Sequence, residues 1–475
     1  MTTTVWVYTE QDVSPRFLEV IRNIKSDFNI KASIMPISPV DANRLHPTVP
    51  VVVFGKVTDP EYKHTNNIFT YSVPQALTKA NAPTVIGTAL RRAAGELPDV
   101  PPVPRNGIYA IYIDDPKYVW DDSFKLLHEE LELVCDIEVS GNIVTGTPED
   151  RDVRLLTVAF YAPQAGRSVV FQGDWYADNP YDALHVISML WVFFCSYKGK
   201  LIWHNGKFDV RVLNRILGEY DSIRVPVHED TMLMHHVLNQ AAGNHKLKDL
   251  CKLYFNAPEW ESDLKKYTKG GGHYENIPVD TLVDYNALDV YWTWVLYDYL
   301  REQIDADEHA QRAYELEIAA SEFLLRVEER GIPIDEEAAD ALGTECGFIM
   351  EREVDIMRQL AFDDSFNPNS PQQVKRVLAE MGENVEGTSV QILEEKRAVL
   401  DDSEKPALFI DSLLAYRKAA KISSTYVKGW TSKMRDGLVH PTFLIHGTST
   451  GRLSSSSPNA QNVPRNKKVR AIVGV

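Results

Sequence analysis

The sequence is poor in cysteine and has no long apolar run, and each scarcity narrows what it encodes. Its four cysteines, Cys135, Cys195, Cys251 and Cys346, are widely spaced and form no CxxC pair. That excludes the common zinc and dithiol redox arrangements and fits free thiols in a reducing compartment. The longest apolar stretch, Ile187 to Cys195, is under half of the roughly 20 residues that span a bilayer. It reads as a buried helix, and no membrane partner is expected. The N-terminus, MTTTVWVYTEQD, lacks the basic flank and apolar core of a secretory signal. There is no internal repeat or low-complexity tract, and KGGGH at 269–273 reads as a flexible loop.

What remains is ordinary in bulk and uneven in detail. A chain of 475 residues, 44% hydrophobic and 25% charged, fits a globular protein of about three domains. The net charge of −17 argues against a polyanionic partner only as an average. From Asp411 to Val475 there are eleven Lys and Arg against two acids, a local +9 that leaves −26 on residues 1–410. A basic end on an acidic body suits either a solvated tail or a contact with phosphates.

Residues 1–95 alternate β-branched runs, TVWVYT and VPVVVF, with the helix-like RFLEVIRNIK, so a small α/β domain is expected there. Four prolines, Pro98, Pro101, Pro102 and Pro104, make 96–108 an extended linker. A second α/β pattern occupies 109–303, with strand candidates LELVCDIEV, RLLTVAFYA and SVVFQG. Helical sequence follows over 304–475. In YELEIAASEFLLRVEERG, Leu316, Ala320, Phe323, Leu324 and Val327 suggest one apolar stripe, with Gly331 as the stop. In NSPQQVKRVLAE, Ser370, Pro371 and Gln373 read as a capping box.

Three short patterns carry chemistry. Asp136 and Glu138 lie two apart in an apolar strand and so share one face. Alone, they fit either a solvated edge or a site for a hard cation such as Mg²⁺ or Mn²⁺. In LIWHNGKFDVRVLNRIL, a turn at His204, Asn205 and Gly206 precedes a helix with Asp209 in its first turn. Alone, Asp209 fits a residue answering the helix dipole, and His204 a satisfied turn residue. In LVDYNALDVYW, Tyr285 and Asp289 lie four apart on one helical face. Alone, they fit a core tyrosine and a surface acid.

In this order the three patterns resemble the proofreading 3'-5' exonuclease domain of the DEDD type with a tyrosine. That domain carries acid-x-acid on a strand, Asn-x-x-x-Phe-Asp on a helix and Tyr-x-x-x-Asp on a late helix. HEDTMLMHHVLN and HKLKDLCKLYF look like sequence of the same family. The resemblance implies a ribonuclease H-like fold, a mixed sheet with flanking helices, and hydrolysis of DNA from its 3' end with two divalent ions, Mg²⁺ or Mn²⁺. Two such ions sit about 3.5–4 Å apart and compensate charge on the attacking and leaving oxygens. It implies catalytic roles for Asp136, Glu138, Asp209, Tyr285 and Asp289. Asp136 would bridge the ions, Glu138 and Asp289 would complete the tighter site, Asp209 would hold the second ion largely through water, and Tyr285 would orient the attacking water. Asn205 is a candidate contact to the DNA strand, and Phe208 reads as core.

A second resemblance, to the polymerase domain of family A DNA polymerases, begins at YELEIAASEFLLRVEERGIPID and continues through FNPNSPQQVKRVLAEMG and LLAYRKAAKISSTYVKGW to TSTGRLSSSSPNAQNVPR. It implies an entry helix, a mainly helical thumb and the start of a palm. Arg452, Gln461 and Asn462 would lie near the primer-template minor groove, where acceptors recur at similar places in every correct pair. Arg465, Lys467 and Lys468 continue the basic track. VRAIVGV resembles the strand that leads to the first catalytic aspartate of the palm. Since that aspartate is not in the sequence, polymerisation is expected only with a C-terminal partner fragment. The expected protein is thus the N-terminal portion of a phage-like replicative polymerase, working in a bacterial or phage-infected cytoplasm on single-stranded 3' ends and primer-template DNA. The alternatives are a non-catalytic DNA-binding subunit and a ribonuclease D-like RNA exonuclease. VPVVVFGK and ALRRAAG distantly resemble uracil-DNA glycosylase-like domains, but no catalytic motif accompanies them. A structural or docking role is expected for residues 1–95.

Overall fold

The computed structural model describes the chain apart from residues 1–3, 11–13, 28–29, 47–48, 55–56, 58, 64–66, 71–81, 96–118, 141–152, 177–179, 219–222, 241–243, 269–272, 449 and 474–475, and only the backbone of 67–70, 82–85, 119–122 and 180. The proline-rich linker at 96–108 and most of the glycine loop lie outside the described residues. Two compact units emerge, residues 1–325 with 445–453, and residues 326–444 with 454–475.

The first unit opens with β1 (Thr4–Thr9), β2 (Ser33–Pro36), β3 (Val51–Phe54) and β4 (Asn67–Thr70), a parallel sheet in the order β2-β1-β3-β4. The valine run of β3 is buried throughout, as suits a parallel strand covered on both faces. Helix Pro15–Asp27 turns Phe17, Ile21 and Ile24 inward at helical spacing. Helix Ala82–Ala93 adds Ile86, Ala89 and Leu90 to the same core. It also packs against the helix Leu247–Phe255.

A mixed five-stranded sheet follows: β5 (Glu132–Val139), β6 (Leu155–Ala162), β7 (Arg167–Gln172), β8 (Lys200–Trp203) and β9 (Glu229–Asp230), ordered β7-β6-β5-β8-β9. The β5-β6 and β6-β7 pairs are antiparallel, while β8 runs parallel to β5 and β9. The apolar run Ile187 to Cys195 falls inside helix Pro180–Ser196, where Ile187, Leu190 and Phe193 are buried against the sheet. Among the described residues no helix is long and apolar enough to cross a membrane. Helix Val279–Asp305 is 27 residues long, and two of its turns deliver Tyr285, Asn286 and Asp289 to the sheet.

The predicted stripe on helix Glu308–Arg330 is misplaced. Leu324 is buried, but Leu316 and Phe323 are 71% and 65% exposed. The buried face runs instead through Tyr314, Ser321, Leu325 and Glu328. Polar contacts fix that rotation: the Tyr314 hydroxyl donates to Glu229 (2.8 Å) and accepts from the Asp230 amide (2.9 Å). Sequence periodicity registers apolar residues only.

In the second unit, helix Glu336–Ala361 and helix Lys405–Lys421 carry much of the packing. The helix ending at Arg330 stops as expected at Gly331, whose φ is +70° and where a Cβ would meet the His440 ring at 2.8 Å. Helix Pro371–Glu380 is capped by Ser370, which accepts from the Gln373 amide. The reciprocal half of the expected box differs, since Gln373 accepts from the Asn367 amide (2.7 Å). The strand expected at VRAIVGV is corrected too: residues Lys467–Ile472 are a helix. Asn466 caps it by accepting from the Lys468 and Val469 amides, and Val469 and Ile472 are buried three apart. Local capping thus outweighs β-branched composition.

Candidate active site

The first two acids stand on the central strand. In β5 the alternation of side chains brings Asp136 and Glu138 to one face, paired across to Ala159 and Thr157 of β6. The register slips between Glu138 and Val139, a bulge of the kind that re-aims side chains beside functional sites.

The turn after β8 presents Asp209. Asn205 is exposed with φ +63°, and a Cβ on Gly206 would lie 2.4 Å from that of Trp203. Both turn amides are held by one carboxylate, with Asn205 N to Asp230 Oδ1 at 3.1 Å and Gly206 N to Asp230 Oδ2 at 3.0 Å. Asp230 also caps helix Thr231–Leu238 through the Met232 and Leu233 amides. One buried acid therefore fixes where helix Lys207–Gly218 begins and where Asp209 sits. Phe208 packs partly buried against the sheet core, with Val212 and Ile216 buried on its face. His204 shares a 2.8 Å hydrogen bond with Thr231, and burial drives its pKa down to about 3. Asp230→Ala is expected to lower stability by about 2–3 kcal/mol, a lost cap together with unpaired turn amides. The readout is a reduced urea midpoint at constant m-value. An unchanged midpoint would show the turn to be held by other contacts.

Helix Val279–Asp305 completes the group. Tyr285 and Asp289 are both buried, so Asp289, at 4% exposure, is no surface acid. Carboxylate oxygens of Asp136, Glu138 and Asp289 lie within 4.8 Å of one another. Asp209 falls outside that trio but beside Asp136, whose charge acts on it, and it accepts from the Ile137 amide. Three hard oxygen donors at this spacing suit a divalent cation of the Mg²⁺ or Mn²⁺ type.

Four neighbours had no predicted role. Asn286 Nδ2 donates to Asp136 Oδ2 (2.6 Å), Trp260 Nε1 to Asp289 Oδ1 (2.6 Å), and Lys248 Nζ to Asp289 Oδ2 (2.9 Å) and to the Tyr285 hydroxyl (2.5 Å). Trp260 is stacked on Trp292 with centroids 5.7 Å apart. Asp230 is the fourth. Asn286 adjoins Tyr285, while Asp230 and Lys248 lie in the segments HEDTMLMHHVLN and HKLKDLCKLYF; no motif marks Trp260.

Charge and burial conflict here. Burial, then the charge of Asp289, raises the pKa of Asp136, while Lys248 and Asn286 pull it back. Burial and the charges of Asp136 and Asp289 push Glu138 well above the ordinary carboxylate range. Burial and Asp136 do the same to Asp209. Buried like charges of this kind ionise together only beside a cation. Burial also works against the charge on Lys248, but Asp289 and the other two acids outweigh it and raise its pKa.

The expected DNA contacts fall in both units. Arg452 is exposed in the segment 445–453 of the first unit, its carbonyl accepting from Thr448 Oγ1 (2.7 Å). Gln461 and Asn462 are exposed on a single 3-10 turn, where the Asn462 carbonyl accepts from the Tyr426 hydroxyl (2.7 Å). Arg465, Lys467 and Lys468 are exposed after it, and the Lys468 ammonium lies 2.5–2.6 Å from the Glu345 carboxylate.

A mixed sheet carries the clustered carboxylates on its central strand and a late helix, and comparison with known proteins places family matches on either side of that late helix's end. Residues 163–305 match the family model described as 3'-5' exonuclease, and residues 338–474 the model described as DNA polymerase family A. The two segments are thus similar to the 3'-5' exonuclease domain and to the polymerase domain of family A DNA polymerases, respectively. The exonuclease match begins beyond β5, so the fold itself joins Asp136 and Glu138 to the matched segment.

Among relatives, the DNA polymerase of Escherichia phage T5 is 30% identical over 295 residues, which is 57% of this chain and 34% of the relative. DNA polymerase I of Treponema pallidum is 28% identical over 273 residues, 56% of this chain and 26% of the relative. The chain thus spans about a quarter to a third of the length of these relatives. The POL domain of Pol1 from M. smegmatis, solved with DNA primer-template and dNTP, superposes with a TM-score of 0.56 at 20% identity, covering 74% of this chain and 56% of that one. That likeness concerns the fold.

Proposed function

We propose that the chain is the proofreading part of a family A replicative polymerase, and that residues 109–303 hydrolyse DNA from its 3' end. The observation that carries this reading is the trio of half-buried Asp136 with buried Glu138 and Asp289, drawn from two elements, with carboxylate oxygens within 4.8 Å of one another. Asp136, Glu138 and Asp289, with Asp209 beside Asp136, would hold the divalent ions. When bound, such ions supply a hydroxide nucleophile and compensate charge on the leaving 3'-oxygen.

The chain's own residues do the rest. The hydroxyl of Tyr285 orients the attacking water, and its hydrogen bond to Lys248 fixes its direction. Asn286 keeps Asp136 from rotating. Asp230, by locking the turn at Asn205 and Gly206, presents Asn205 to the DNA strand. Arg452, Gln461, Asn462, Arg465, Lys467 and Lys468 contribute phosphate and minor-groove contacts to primer-template DNA. Residues 1–95 act as a structural or docking domain, residues 96–108 as its linker and residues 304–475 as part of the polymerase domain.

The deciding experiment incubates the purified chain and Mg²⁺ with 5'-labelled single-stranded DNA and an RNA of the same sequence. A ladder shortening from the 3' end of the DNA, abolished by EDTA, is expected. Intact DNA would overturn the reading, and faster loss of RNA would indicate a ribonuclease of the same acidic set.

A further inference from the structure

Three clustered carboxylates, two of them buried, need positive charge even before a metal arrives, and a lysine is built into their midst. Lys248 lies in the second position of helix Leu247–Phe255. Its ammonium is 2.9 Å from Asp289 Oδ2 and 2.5 Å from the Tyr285 hydroxyl. It also lies over the Tyr285 ring, 4.5 Å from the centroid, and 5.8 Å from that of Trp260. Two aromatic faces and an anion thus hold it as a cation in place. Its charge reaches Asp136 and Glu138 as well as Asp289. Both oxygens of Asp289 are occupied, Oδ1 by Trp260 and Oδ2 by Lys248. A divalent ion therefore meets a carboxylate that already has an internal partner.

We propose that Lys248 is the resident counter-ion of the carboxylate cluster, a positioning residue that holds Asp289 and Tyr285 in register without metal and competes with the divalent ion for Asp289, so setting how tightly the site binds it. The competition follows from charge and geometry together. An ion on Asp289 Oδ2 displaces one hydrogen bond of the ammonium and lies beside a like charge. Lys248 keeps its bond to Tyr285, so the tyrosine stays aimed while the metal comes and goes. The site gains order in the empty state and loses affinity in the loaded one. This inference rests on the reading of the trio as a metal site.

The test is Mg²⁺ binding to the whole chain without DNA, by calorimetry and by the rise in melting temperature over an EDTA control. Lys248→Met and Lys248→Gln remove the charge, and Gln retains a donor for Tyr285. Both are expected to bind Mg²⁺ about tenfold more tightly, the scale on which one neighbouring charge alters a carboxylate's affinity for a cation such as the proton. Both should also melt lower than the parent in EDTA. Lys248→Arg, which keeps the charge, should stay within about twofold of the parent. If Met fails to fold, Gln reads the same quantity. Binding no tighter in the charge-removed variants, beside a parent that binds Mg²⁺ and cleaves DNA, overturns the role of Lys248 alone. A parent that binds no Mg²⁺ removes the metal-site reading itself.

Discussion

Asp136→Asn is expected to lower the rate of DNA hydrolysis by about 10²–10³-fold or more, the scale on which loss of one transition-state charge stabiliser acts, and at the same time to raise the melting temperature in EDTA. The two effects have one cause. In the folded chain Asp136 sits beside Asp289 and Glu138 with too little positive charge to satisfy all three. The asparagine removes a repelled carboxylate but leaves an oxygen for the Asn286 amide, 2.6 Å away in the parent. On the proposed reading, stability is given up to gather charge at the site, as is common in catalytic centres. Single-turnover digestion of a 5'-labelled strand and a melting curve of the same preparation measure both. Loss of activity with an unchanged or lower melting temperature in EDTA would mean that the acids are not in conflict.

The stabilisation that Mg²⁺ confers is expected to grow as pH rises from about 5 to about 8. Asp136, Glu138 and Asp209 all have folded-state pKa values raised above those of the unfolded chain. A raised carboxyl pKa means that the folded form binds the proton more tightly. Its stabilising effect is full below the unfolded value, about 4, and is lost as pH climbs through the folded one. Each unit of difference is worth about 1.4 kcal/mol. A divalent ion substitutes for those protons. Histidines with lowered pKa values, His204, His235 and His245, act in the opposite direction on acidification. The quantity to follow is therefore the difference between melting in Mg²⁺ and in EDTA, in which the histidine contribution cancels. A difference independent of pH would overturn the expectation.

The acids were legible in the sequence because their geometry follows from period alone. Residues two apart on a strand and four apart on a helix face one way whatever surrounds them, which suffices for Asp136 with Glu138 and Tyr285 with Asp289. The neighbours that tune them were not, because each pairing joins distant parts of the chain. Asn286 meets Asp136 across 150 positions, and Lys248 meets Asp289 across 41. The first strands of the sheet were legible from their β-branched runs, whereas its mixed character was expected only through the resemblance. The rotation of helix Glu308–Arg330 was not, since a tyrosine hydroxyl shared by Glu229 and Asp230 sets it. The last helix was misread because Val469 and Ile472 suit a strand by composition, whereas the Asn466 cap decides the local backbone.

Helix Val279–Asp305 ties two places together. Near its start it holds Tyr285, Asn286 and Asp289, and further along Tyr297 donates to Glu132 (3.2 Å) while Arg301 lies 3.6 Å from Glu229. An α-helix turns by about 100° per residue. One residue gained or lost between Asp289 and Tyr297 would swing either the carboxylate out of its cluster or the far pairings out of theirs. This stretch therefore tolerates changes of letter but not of length. It is a ruler, and evolutionary insertions have to be accommodated elsewhere in the domain.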